Sequence, residues 1–139
     1  MSEPTVVVRN WRDPDPHVGH ESAIIWSIFR QRNAENSAPQ NCLEHLTGLV
    51  KHALQGGQNS NLHQHDQVEQ FYYVLKGTAK MRVGDEERIV GKGAWALTPA
   101  GLPHYTENVG GDDMAYILFG GNPKDPDSKA HTAVAPRRP

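Results

Sequence analysis

His63-Gln64-His65 is the segment whose residue types and spacing most directly imply chemistry. On an extended strand, residues two apart point to the same face, so both imidazoles can meet one ion. Neutral imidazole suits Zn, Fe, Ni and Cu, and Mn as well when oxygen donors complete the shell. Taken alone, the pair does not separate a metal site from surface or core histidines. Just downstream, Glu69 and Gln70 each offer an oxygen. Being adjacent on a strand, they face opposite sides, and only one of them can join the histidines. Their surroundings do not choose between them, because Phe71, Tyr73 and Leu75 make one apolar face while Tyr72 and Val74 make the other.

The elements that must position these side chains are short strands. Runs of β-formers are divided by Gly, Pro, Asn and Asp, with no long helical periodicity. The pattern predicts strands at Thr5–Arg9, Ala23–Phe29, Leu43–Ala53, Gln70–Lys76, Thr78–Val83, Glu86–Val90, Ala94–Thr98, His104–Asn108 and Met114–Phe119. Ala79, Met81 and Val83 alternate with Lys80 and Arg82, and Gly84-Asp85 then reads as a two-residue hairpin turn of type II′. Asn10 to His20, rich in Asp, Pro and Gly, reads as a long loop. The last twenty residues carry four prolines and little apolar content, and read as a flexible tail. Many short strands with glycine corners and no internal repeat imply one antiparallel sandwich or closed roll.

Bulk properties narrow the function classes. A chain of 139 residues is one domain in length. Its formal net charge is −2 with the signs interspersed, and no basic stripe with interleaved aromatics suggests a nucleic-acid partner. The longest apolar runs, such as Ala23 to Ile28, are too short to span a bilayer, and MSEPTVVVRN is not patterned as a secretory signal. Cys42 is the sole cysteine, which suits a reducing cytoplasm and reads as a packing residue rather than a nucleophile.

Two blocks of the sequence resemble the signature of the cupin superfamily. The first runs from Gly57 through QNSNL to His63-Gln64-His65, then DQVE, Gln70, FYYVLK and Gly77. The second is Gly93, AWALT, Pro99-Ala100-Gly101, Leu102-Pro103, His104, YTE and Asn108. Fifteen residues separate Gly77 from Gly93, the shortest spacing usual in that family. The resemblance covers Leu43 to Phe119. It implies an all-β double-stranded β-helix, the jelly-roll cupin barrel of antiparallel sheets. The barrel would occupy residues 41–120, with 1–40 as N-terminal strands and loop packed on it or exchanged with a partner, and 121–139 as the tail.

The resemblance also implies a ligand set: His63, His65, His104 and the residue at the family's acid position, around one divalent ion (Zn, Fe, Mn, Ni or Cu). Glu69 falls at a permitted distance from His65 but leaves seven residues between itself and Gly77 instead of six. Gln70 keeps the six-residue spacing but is an amide, and some small cupins carry three histidines and a glutamine. Register against the glycine corner selects Gln70. An all-neutral shell leaves the full divalent charge for a substrate oxygen, whereas Glu69 would cancel part of it and favour dioxygen chemistry.

Tyr72, on the same strand face as Gln70, and Tyr116, in the last predicted strand, are the candidate catalytic groups for moving a proton or orienting a substrate oxygen. Trp26, Trp95, Met81, Phe71, Tyr72 and Phe119 are candidates to line the interior. His45 and His52 read as solvated or hydrogen-bonded, and His17 and His20 receive no role. Three functions follow: an isomerase or lyase acting on a sugar acid or keto acid, a cupin dioxygenase, or a non-catalytic module binding a small ligand. The shell resembles that of the small cupin of pectin breakdown, but the final strand lacks the carboxylate expected of a uronate enzyme. Edge strands that need covering, and a first strand followed by a long loop, predict a homodimer.

Overall fold

The computed structural model describes residues 6–66, 68–112, 114–121 and 132–133. Within them the β-forming runs become strands β1 (His17–Gly19), β2 (Ala23–Gln31), β3 (Asn41–Leu43), β4 (Leu46–Leu54), β5 (His63–Gln64) and β6 (Gln70–Lys76). The second half supplies β7 (Ala79–Val83), β8 (Glu86–Val90), β9 (Trp95–Thr98), β10 (His104–Asn108), β11 (Met114–Gly121) and β12 (Thr132–Ala133). One sheet runs β1-β2-β4-β11-β6-β9, with β3 beside β2; the other runs β12-β5-β10-β7-β8. Every pairing is antiparallel except β2 with β3. The all-β, antiparallel roll is as expected. No helix among the described residues is long and apolar enough to cross a membrane.

Alternation places the core between the sheets. Ala23, Ile25, Leu54, Tyr72 and Val74 from the first sheet meet Ala79 and Met81 from the second in one buried cluster. The β7–β8 hairpin turns at Gly84, whose φ is +60°, while Asp85 is not among the positive-φ residues, as a type II′ turn requires. Gly57, Gly77, Gly93 and Gly101, the glycines of both signature blocks, have φ of +77°, +88°, +86° and +83°, where a side chain would be strained.

Some expectations shift. Val6–Arg9 form no strand, and Thr5 lies outside the described residues. The long run expected from Leu43 is broken by a bend at Glu44 and His45, which separates β3 from β4. Within the expected loop, His17–Gly19 pair with β2, and within the expected tail, Thr132 and Ala133 pair with Gln64 and His63. The other residues from 122 onward lie outside the described residues.

Asn108 closes the second block by joining three segments. Its Nδ2 donates to the Leu54 carbonyl at 2.9 Å and the Asp112 carbonyl at 2.8 Å, and its Oδ1 accepts from Gly110 N–H at 3.0 Å. The residue is 1% exposed, so water cannot easily replace these bonds. Asn108→Ala is expected to cost about 3 kcal/mol, because it orphans buried polar groups rather than removing a matched pair. Urea denaturation measures this, and a loss below about 1 kcal/mol would show that the groups find other partners.

Candidate metal centre

β5 and β10 bring two histidines of distant sequence face to face: His63 and His104 are direct cross-strand partners. His65 lies just beyond β5, where its carbonyl accepts the Gly101 N–H at 2.8 Å and ties it to the Pro99–Gly101 corner. The three imidazoles converge. Ring centroids are 4.4 Å apart for His63 and His104, 5.1 Å for His63 and His65, and 5.4 Å for His65 and His104. One ligand atom from each lies within 4.8 Å of the others, and all three residues are buried.

Hydrogen bonds set the tautomers. His63 Nδ1 is 2.8 Å from the Asn61 carbonyl, and His104 Nδ1 is 3.1 Å from the Leu102 carbonyl. A carbonyl can only accept, so each Nδ1 carries the proton and each Nε2 presents a lone pair. Burial pushes the His63 pKa down to about 2, helped by His104 and, less strongly, by His20 and His65, while the Asn61 carbonyl opposes the shift. His63 is therefore a neutral imidazole at any physiological pH, the form that binds metal. Together with His65 these residues form a group of three that could hold a metal ion.

β6 separates the two candidate oxygen donors. Gln70, Tyr72 and Val74 form its buried face, while Glu69 is exposed. The Tyr72 ring lies 6.1 Å from that of His104, so this is the face turned toward the histidines. Gln70 Oε1 is buried and has no hydrogen-bond partner. Leaving such an oxygen orphaned costs about 1–3 kcal/mol, which coordination to a cation would offset. Among the described residues, no carboxylate or cysteine joins the histidine group. The donor set thus fits a divalent ion: neutral imidazoles, and an unsatisfied amide oxygen on the adjoining strand face.

The remaining candidates fall as follows. Tyr72 is buried beside the cluster. Tyr116 is placed by its backbone on β11 opposite His52 and Val74, both buried. His45 is exposed at the bend, whereas His52 is buried on β4. Met81 is interior, but Trp95 and Phe71 lie on the outer face, 60% and 46% exposed, and Trp26 is half-buried. The side chain of Phe119 lies outside what is described. One residue was missed altogether. His20 stacks on His63 with centroids 4.4 Å apart, although 42 intervening positions in the chain give no hint of it.

A cupin-domain family model matches residues 50–120. The chain belongs to the cupin family. The matched span includes His63, His65, Gln70 and His104, and leaves β1, β2 and β3 of this cupin outside it. An uncharacterized protein of Methanocaldococcus jannaschii is 37% identical over 95 residues, 68% of this chain and 70% of that protein. Among solved structures, a predicted oxalate decarboxylase from Thermotoga maritima superposes with a TM-score of 0.70 at 16% identity, covering 84% of this cupin and 99% of that chain. The polyketide cyclase RemF from Streptomyces resistomycificus superposes at 0.69 and 15% identity, covering 94% and 87%. At such identities the likeness is one of fold, and chemistry must be argued from the site.

Proposed function

We propose that this cupin is a metal-dependent enzyme of the isomerase or lyase type, in which His63, His65, His104 and Gln70 hold one divalent ion against a small sugar acid or keto acid. The observation that carries the reading is Gln70 Oε1, buried without a partner on the strand face turned toward the three histidines. When bound, the ion supplies a Lewis acid whose undiminished charge favours an anionic substrate oxygen. The protein's own part is to keep His63 and His104 in one tautomer through Asn61 and Leu102, and to exclude competing protons by burial. Tyr72, buried next to His104, is the group we assign to donate a proton or orient a substrate oxygen, with Tyr116 second. Among the described residues no carboxylate joins the histidine group, which supports this reading over a dioxygenase that uses an anionic shell.

The test is turnover of uronates and keto acids, followed by NMR, with metal-loaded and chelator-stripped protein. Metal-dependent conversion that falls in Tyr72→Phe supports the reading. Oxygen consumption would make the protein a dioxygenase, and saturable binding without conversion would make it a ligand-binding module.

A homodimer is part of the same proposal. Among the described side chains, the outer face of the larger sheet is largely apolar where an antiparallel sheet facing water would alternate to polar. Phe71 pairs with Leu97 and Tyr73 with Trp95, and the Tyr73 and Trp95 rings stack at 4.4 Å. Leu49 pairs with Phe29 and Lys51 with Trp26 further along the sheet. The one cation of these rows is shielded: Lys51 Nζ lies 3.3 Å from the Trp11 ring centroid and 4.9 Å from that of Trp26. A largely apolar face whose cation is covered by indole rings suits an identical copy packed about a two-fold axis. It supports pairing through the sheet face rather than by crossing of the first residues. Trp95→Lys with Phe71→Lys is expected to give a monomer in light scattering where the wild type gives a dimer; an unchanged mass would move the interface elsewhere. We place the protein in the cytoplasm, in keeping with its single half-buried thiol, Cys42.

A further inference from the structure

The turn between β1 and β2 is strained without a glycine to absorb it. His20 and Glu21 have φ of +49° and +72°, and they are the non-glycine residues of the described chain that do so. Each such residue costs about 1–2 kcal/mol, and a hairpin turn of this kind ordinarily uses Asn and Gly. A strained backbone persists only where its surroundings over-determine it.

The surroundings here are the segment that leads into β5. The His20 carbonyl accepts the Asn61 N–H at 3.1 Å, and His20 Nδ1 lies 2.9 Å from Asn61 Oδ1. Next to it, Ser22 Oγ donates to the Asn59 carbonyl at 2.8 Å. Asn61 is thus held by His20 through both its main chain and its side chain. Its own carbonyl is the acceptor for His63 Nδ1–H, 2.8 Å away. The His20 ring also lies against the His63 ring, 4.4 Å between centroids and 26° between planes. Both degrees of freedom that matter for a ligating imidazole, its ring plane and its tautomer, therefore lead back to His20.

We infer that His20 is a positioning residue for the metal centre: it fixes His63 directly by stacking and indirectly by clamping Asn61, and the strained turn is retained for that purpose. The inference rests on the metal-centre reading above. It assigns a role to the β1–β2 hairpin, which lies outside the span shared with the family model.

Two variants separate positioning from a merely structural role, because both residues tolerate positive φ and lack the ring: His20→Gly and His20→Asn. The readouts are the dissociation constant for Zn, by competition with a chromophoric chelator, the visible spectrum of the Co-substituted protein, and the urea midpoint of the metal-free protein. We expect Zn affinity to fall about 10- to 100-fold, the loss typical for partners of a metal-binding histidine. The cobalt bands should shift, while the metal-free midpoint stays level or rises as strain is relieved. Affinity and spectrum unchanged from a metal-binding wild type would overturn this inference alone, as would a lowered midpoint with unchanged affinity. A wild type that binds neither metal would overturn the metal centre itself, and this inference with it.

Discussion

Between pH 7 and pH 4 the metal-free protein is expected to lose on the order of 3 kcal/mol of folding stability through His52 alone. Burial, then the neighbouring His20 and His17, lower the folded-state pKa of His52 to about 3, against 6.5 for a free histidine. Below pH 6.5 the unfolded chain takes up a proton at this residue, while the folded protein refuses it until about pH 3. Stability from this source is therefore complete above 6.5 and drains away as the pH falls toward 3. The reason is positional. His52 is buried on β4 beside the buried Ile25 of β2, and its backbone pairs with that of Tyr116 on β11, so an imidazolium there would have no solvent. His63 shifts in the same direction, so the wild type should show a steeper loss than one residue gives. Urea denaturation at several pH values, for wild type and His52→Leu, measures the share. The variant should lose a large part of the acid slope; an unchanged slope would mean that His52 finds a way to be protonated inside the fold.

At Gln70 the expected effects on stability and on binding have opposite signs. Gln70→Leu replaces the carboxamide, with its orphaned buried oxygen, by a branched alkyl group of similar volume, so the metal-free protein should gain about 1 kcal/mol. The same change removes the oxygen we propose as fourth donor and should weaken metal binding by at least the ~10-fold that loss of an outer partner alone can cost. Glu69→Ala, altering an exposed side chain, should leave both quantities within about 0.5 kcal/mol. A residue that lowers the stability of the empty protein while raising its affinity for an ion is the signature of a site kept for function. If Gln70→Leu instead destabilised the metal-free protein, Oε1 would have to be satisfied there by water.

Much of this site was legible in the sequence because its constraints are local. The two-residue period of a strand brings His63 and His65 to one face, and the motif glycines stand where the chain turns with positive φ. The choice between Glu69 and Gln70 as the inward residue was open on composition, since both faces of β6 are apolar. The outer residues of β6 and β9 are apolar as well, which is why hydrophobicity does not tell in from out, and why Trp95 and Phe71 lie outside rather than in the interior. His20 was invisible. Its role depends on a hairpin turn meeting a segment forty-one residues away, and its neighbours in sequence look like an ordinary Asp- and Gly-rich loop. The bend at Glu44 and His45 escaped notice because neither glycine nor proline marks it.

The most direct measurement is the metal content, by mass spectrometry, of wild type, Gln70→Ala and Glu69→Ala purified without added metal. Three neutral imidazoles completed by an amide predict near-stoichiometric metal in wild type and in Glu69→Ala, and its loss in Gln70→Ala. Metal kept by Gln70→Ala but lost by Glu69→Ala, or no metal in wild type even after reconstitution, would contradict the neutral centre.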